Sequence, residues 1–113
     1  MAKYFNTAFS LSMVVPPFVI SGSELTPAEA SKWLNQEIQN VANPNHANTL
    51  DAVSKKLGTG VRDAKGGRVV LSSGDECLVA QVSFPPSVPR ETKEYTDEQV
   101  ALGKFSFVLV KIE

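Results

Sequence analysis

Cys77-Leu78-Val79-Ala80-Gln81-Val82-Ser83-Phe84 is dense in apolar and β-forming side chains. The turn signal Ser72-Ser73-Gly74-Asp75 precedes it and Pro85-Pro86 follows it, so the run predicts a strand with defined ends. It is apolar enough to be covered on both faces, which places it centrally in a sheet. Upstream, Arg68-Val69-Val70-Leu71 predicts a neighbouring strand. Residues 58–67 form a loop with four glycines and three charges. Downstream, residues 85–94 hold three prolines and exclude regular structure. Thr96-Asp97-Glu98-Gln99 is a capping box that opens a short helix ended by Gly103, and Phe105 to Ile112 predicts the last strand.

The N-terminal half supplies the remaining elements. Tyr4 to Phe9 predicts a first strand, and Phe18-Val19-Ile20 a short second one punctuated by Gly22 and Ser23. Thr26-Pro27-Ala28-Glu29 is a strong helix start, with Thr26 as N-cap, Pro27 at the first helical position and Glu29 closing the box. Ala30, Trp33, Leu34, Ile38 and Val41 make one apolar stripe at helical spacing. Asn43-Pro44-Asn45 breaks that helix. A second follows from about His46 to Leu57, with Leu50, Val53 and Leu57 inward and Gly58 as its C-cap. The order β-β-α-α-β-β-α-β implies a single α/β domain over 1–113, with a mixed sheet of about five strands and flanking helices.

Composition narrows the function. With 113 residues, 42% hydrophobic, the chain has material for one two-layer core. Eleven Lys+Arg against twelve Asp+Glu give a net charge of −1, which disfavours a coat for duplex nucleic acid. An anionic ligand must be met by a local cluster. One cysteine excludes an internal disulfide framework and a Cys-rich zinc site. No apolar run approaches a membrane span, and the start lacks a secretory segment. A small cytoplasmic domain, with no metal and no cofactor, is the expectation.

His46 is the only histidine, which removes multi-histidine metal sites from consideration. It follows Asn-Pro-Asn and opens the second helix, where free backbone N–H groups and the positive dipole end favour a phosphate. Asn48 and Thr49 add neutral hydrogen-bonding groups in the same turn. A histidine beside a phosphodiester can give a proton to the leaving oxygen. The other reading of His46 is a boundary core residue or a helix cap. The loop from Thr7 to Ser12 leaves the carboxyl end of the first strand, where open α/β sheets bind ligands, so Ser10 and Ser12 are candidate contacts to phosphate or ribose. Lys65, Arg68 and Arg90 are candidate anion partners. Gly58-x-Gly60 and Gly66-Gly67 do not open a helix after a strand and are not phosphate-binding loops.

Several of these segments, taken in order, resemble the DUF1874 family of small viral and mobile-element proteins, which includes viral ring nucleases acting as type III anti-CRISPRs. The family's Asn-Ala-Phe-Ser-x-x-Met resembles Thr7-Ala8-Phe9-Ser10-Leu11-Ser12-Met13, with Thr7 in place of Asn. Its Gly-His-x-Ser-Thr is similar to Asn45-His46-Ala47-Asn48-Thr49, and its Leu-x-Gly helix end to Leu57-Gly58. Gly67-Arg68-Val69-Val70-Leu71, Gly74-Asp75-Glu76-Cys77-Leu78, Gln81 and Gly103-Lys104-Phe105 continue the likeness over nearly the whole chain.

The resemblance implies metal-independent cleavage of a cyclic oligoadenylate messenger, cyclic tetra-adenylate in the first instance. His46 would be the general acid, and a 2′-hydroxyl would attack the phosphorus. Thr7, Ser10, Asn48, Thr49, Arg68 and Gln81 would be ligand contacts. It also implies a two-fold homodimer, whose symmetry suits a ring. The family's Gln-Arg-x-x-Glu-Gly-Lys is replaced here by Phe84-Pro85-Pro86-Ser87-Val88-Pro89-Arg90-Glu91, so Arg90 and Glu91 are the candidates for its Arg and Glu. Losing one oxyanion donor can cost on the order of 100-fold in rate. The alternative reading is therefore a non-catalytic sponge that binds a cyclic nucleotide and releases it intact; a third is a structural or regulatory protein keeping the fold alone.

Overall fold

The computed structural model describes residues 2–89 and 91–113. Its elements are β1 (Lys3–Asn6), β2 (Ile20–Leu25), α1 (Pro27–Leu34), β3 (Gln39–Asn40), α2 (Ala47–Leu57), β4 (Glu76–Ser83), α3 (Asp97–Leu102) and β5 (Lys104–Ile112). The five strands form one mixed sheet in the order β2-β5-β4-β1-β3. β4 is central, parallel to β1 and antiparallel to β5. The α/β fold with a five-stranded mixed sheet thus agrees with the sequence. Among the described residues no helix is long and apolar enough to cross a membrane.

Side-chain alternation along β4 and β5 divides the core in two. Leu78, Ala80, Phe107 and Leu109 face α1 and α2, where they meet Ala30, Leu34, Leu50 and Val53. Phe5, Leu50, Leu78 and Phe107 are at most 2 % exposed, and burying each side chain contributes about 1.5–3 kcal/mol. Cys77, Val79, Val110 and Ile112 point to the opposite face, which carries no α-helix among the described residues and is covered by Val14, Val69 and Leu71. A third cluster of Ala52, Val88, Tyr95 and Val100 seats α3 and the proline-rich segment against α2.

Both capping boxes form. Thr26 Oγ1 accepts from Glu29 N at 3.2 Å and Glu29 Oε1 accepts from Thr26 N at 2.9 Å. Thr96 and Gln99 repeat the pattern at 3.2 and 3.0 Å. Gly58 closes α2 at φ +66°, a conformation that favours glycine.

Four local expectations change. The first strand ends at Asn6 rather than Phe9, because Asn6 Oδ1 accepts from Thr7 N and Ala8 N and turns the chain out of the ladder. The second strand runs Ile20–Leu25, through Gly22 and Ser23, because it is an edge strand paired with β5 and its outer positions need no apolar side chain. α1 stops at Leu34. Ile38 and Val41 lie on opposite sides of the sheet, since residues three apart in extended chain face opposite ways. Arg68–Leu71 is not a strand: Leu71 makes one bridge to Val14, and Val69 and Leu71 are apolar because they cover the sheet. The strand missing from the sequence reading is β3, two polar residues pairing with Tyr4 and Phe5.

Candidate functional site

The carboxyl ends of β1 and β4 and the start of β5 lie at one edge of the sheet, with the start of α2 beside them. Asn43-Pro44 forms a tight turn in which Asn43 Oδ1 accepts from Asn45 N at 2.9 Å and Asn43 O accepts from His46 N at 2.9 Å. This turn sets His46 at the N-cap position of α2, with φ −88° and ψ 37°. Its imidazole makes no capping hydrogen bond and is exposed, so it is neither a cap nor part of the core. Instead Nδ1 lies 3.2 Å from Oγ1 of Thr7, the buried first residue after β1. That bond holds the ring at one nitrogen and leaves Nε2 as the nitrogen available to a ligand.

Thr7 and His46 line a cleft of about 440 Å³ together with Thr49, Gln81, Val82, Ser83, Lys104 and Ser106. Gln81 pairs directly with Ser106, and Ser83 with Lys104, so four polar side chains project from one patch of sheet. They share the face of Cys77, Val79 and Val110; there the irregular cover stops and the sheet is open. Gln81 is a candidate by sequence, whereas Ser83, Lys104 and Ser106 emerge only from the fold. The available signal was the switch from apolar to polar residues at alternate positions of β4 and β5 on the same face.

On the other side of His46 lies a cleft of about 420 Å³ whose wall includes Asn6, Thr7, Ala8, Pro44, Gly66 and Gly67. Gly66 has φ +66°, and a Cβ there would come within 2.9 Å of Pro44 Cδ. The glycine pair thus lets its loop pack against the turn that carries His46. Asn48 faces away from the histidine cleft into a third hollow, which shares Thr49 and Val82 with it.

Of the sequence candidates, Thr7, His46, Thr49 and Gln81 come together, with Asn48 adjoining. Ser10 is exposed and caps its own turn, accepting from Ser12 N at 3.3 Å and bonding Ser12 Oγ at 2.9 Å. Arg68 and Glu91 are exposed and do not line the histidine cleft. Arg90 lies outside the described residues.

Behind the site, buried Asp51 on α2 ties three segments together. Its carboxylate accepts from Tyr95 N at 2.9 Å, from Lys55 Nζ at 3.0 Å and from Arg62 Nη2 at 2.9 Å. Burial pushes this carboxyl up, but the bonds from Tyr95, Arg62 and Lys55 outweigh it, and its pKa lies below the ordinary value. Burial likewise pushes the Cys77 thiol up to about 12, which keeps it a neutral core residue. Among the described residues no group of three or more His, Cys, Asp or Glu side chains is placed to hold a metal.

No protein-family model matches the chain, and no curated protein matches it by sequence. Among solved structures it is similar to B116 of Sulfolobus turreted icosahedral virus (STIV), with a TM-score of 0.71 and 18% identity, covering 98% of this chain and 99% of that one. The likeness spans both chains end to end and is one of fold.

Proposed function

We propose that the protein is a metal-independent ring nuclease that binds a cyclic oligoadenylate, cyclic tetra-adenylate in the first instance, and opens it. The Thr7–His46 hydrogen bond at the wall of a polar cleft carries this reading. The ordered likeness of the chain's segments to the DUF1874 motifs supports it.

The bond has the orientation that acid catalysis needs. In the imidazolium, Nδ1–H donates to Thr7 Oγ1 while Nε2–H faces the ligand. A ribose 2′-hydroxyl attacks the adjacent phosphorus, its proton passing to solvent. The P–O5′ bond breaks, and Nε2 supplies the proton to the departing O5′. The products carry a 2′,3′-cyclic phosphate and a 5′-hydroxyl. The neutral histidine left behind keeps the same Nδ1–H bond to Thr7, so the ring does not reorient. Thr49, Gln81, Ser83 and Ser106 hold ribose and phosphate oxygens, which favours in-line attack. Lys104 supplies positive charge to the phosphate. A two-fold dimer sets two such clefts around one ring.

A second reading is favoured by one observation. Lys104 is the sole Lys or Arg among the described residues lining the cleft, and Glu91 lies outside it. A site with so little charge stabilisation would suit a sponge that holds the messenger and returns it intact. Incubation with labelled cyclic oligoadenylates in excess chelator, followed by denaturation and analysis of the released nucleotide, separates the two. Linear product marks the nuclease, a retained intact ring marks the sponge, and no retention contradicts both.

A further inference from the structure

A hollow of about 570 Å³ adjoins the histidine cleft across Thr49 and Val82. Pro85, Pro86 and Phe84 form its outer wall, and Asn48 and Tyr95 face it from α2 and the segment before α3. Phe84 stacks on Tyr95 with ring centroids 4.4 Å apart, and buried Val88 anchors the loop from below. The wall is therefore stiff. Among the described residues its lining carries no charged side chain. The volume lies within the range of small-molecule pockets, and apolar walls with a few fixed polar groups suit a flat heteroaromatic ligand.

Asn48 gives the hollow its direction. Its Oδ1 accepts from Thr49 N at 2.8 Å. A carboxamide has two lone pairs and two N–H bonds. With one lone pair engaged by Thr49 N, a lone pair and the amide N–H groups remain for a ligand. The Hoogsteen edge of adenine presents the complement, an N6 amino donor beside the N7 acceptor, whereas guanine and hypoxanthine present two acceptors.

We propose that this hollow is a nucleobase subsite for adenine, read by Asn48 and walled by Pro85 and Pro86. The inference rests on the nucleotide reading of the adjoining cleft, which would hold the sugar and phosphate of the same nucleotide. Proline rings suit the wall because they offer apolar surface without conformational freedom to lose on binding.

The test is binding of labelled cyclic tetra-adenylate and its inosine analogue to the full chain carrying His46→Ala, which keeps the ring intact during the measurement. We expect the adenine ring to bind more tightly than the inosine ring. Adding Asn48→Leu should weaken adenylate binding by roughly tenfold or more and erase the preference. Pro86→Asp, at an exposed position where folding is unaffected, should weaken both rings by placing a carboxylate in the apolar wall. If the parent binds the ring but neither added substitution changes affinity or preference, the subsite is wrong and the cleft reading stands. If the folded parent and the unsubstituted protein both bind no cyclic oligonucleotide, the cleft reading fails and the subsite fails with it.

Discussion

His46 and Thr7 are 39 positions apart in the chain, yet their side chains meet at 3.2 Å. An imidazole anchored at Nδ1 can act only through Nε2, and the two residues are expected to behave differently when changed. His46→Ala should abolish ring opening while leaving affinity within a few fold, because the proton is delivered in the transition state and not in the bound ground state. Thr7→Val keeps the volume but removes the hydroxyl. It should slow cleavage by roughly tenfold, with little effect on affinity, by releasing the ring's orientation. Single-turnover kinetics alongside equilibrium binding checks both, and unchanged cleavage in His46→Ala would remove the histidine from the chemistry. Lys104→Ala should weaken binding and slow cleavage together, with the loss growing at low salt, where its charge is least screened. A salt series of affinities tests this; a loss independent of salt would argue against a phosphate contact.

These side chains were unequally legible in the sequence. His46 stood out because Asn43-Pro44-Asn45 is a turn signal just before it and a new apolar stripe begins just after. Lys104 did not, because a lysine at a strand start is an ordinary exposed residue until its register opposite Ser83 is known. Arg68, a candidate anion partner by sequence, is exposed and does not line the histidine cleft.

At the scale of elements, α2 holds the site in place through Asp51. Its carboxylate joins α2 to Arg62 in the following loop and to the backbone of Tyr95, whose ring backs the proline-rich segment. A carboxyl whose folded pKa is depressed contributes stability that is present above its unfolded value and lost as pH falls through the folded one. Asp51 and Asp75 are both of this kind. Burial pushes the Asp75 carboxyl up, and hydrogen bonds from Ala2 N and from Ser72 outweigh it. Acid unfolding should therefore set in below about pH 4, the ordinary aspartate range. Asp51→Asn should cost on the order of 1.5–3 kcal/mol at neutral pH, the worth of hydrogen bonds to a charged group, and less in acid. Denaturant unfolding at several pH values measures this; a penalty that does not shrink as the pH is lowered would contradict it.

Elements with strong local chemistry were readable: both capping boxes, the Gly58 helix end and the central strand β4. The failures have one physical source. Arg68–Leu71 and Gln39–Asn40 exchanged roles because burial and pairing are different things. Val69 and Leu71 are apolar since they roof the sheet, while Gln39 and Asn40 pair with β1 at an edge where polar residues are tolerated.

For the whole molecule, the fold leaves one face of the sheet covered only by irregular chain, and that cover stops short of Gln81, Ser83, Lys104 and Ser106. The opening defines the cleft, and a ring larger than one cleft is best met by two of them. A two-fold dimer is the expected state at micromolar concentration. Light scattering with and without ligand checks it, and a monomer in both conditions would contradict it. We propose above all that this chain opens a phosphodiester ring by internal 2′-hydroxyl attack, with His46 as the acid. The most direct measurement is end-group analysis of the nucleotide recovered after incubating the protein with cyclic tetra-adenylate in excess chelator. Linear oligoadenylates ending in a 2′,3′-cyclic phosphate and a 5′-hydroxyl are expected; a 5′-phosphate end, or a ring recovered wholly intact, would contradict the proposed chemistry.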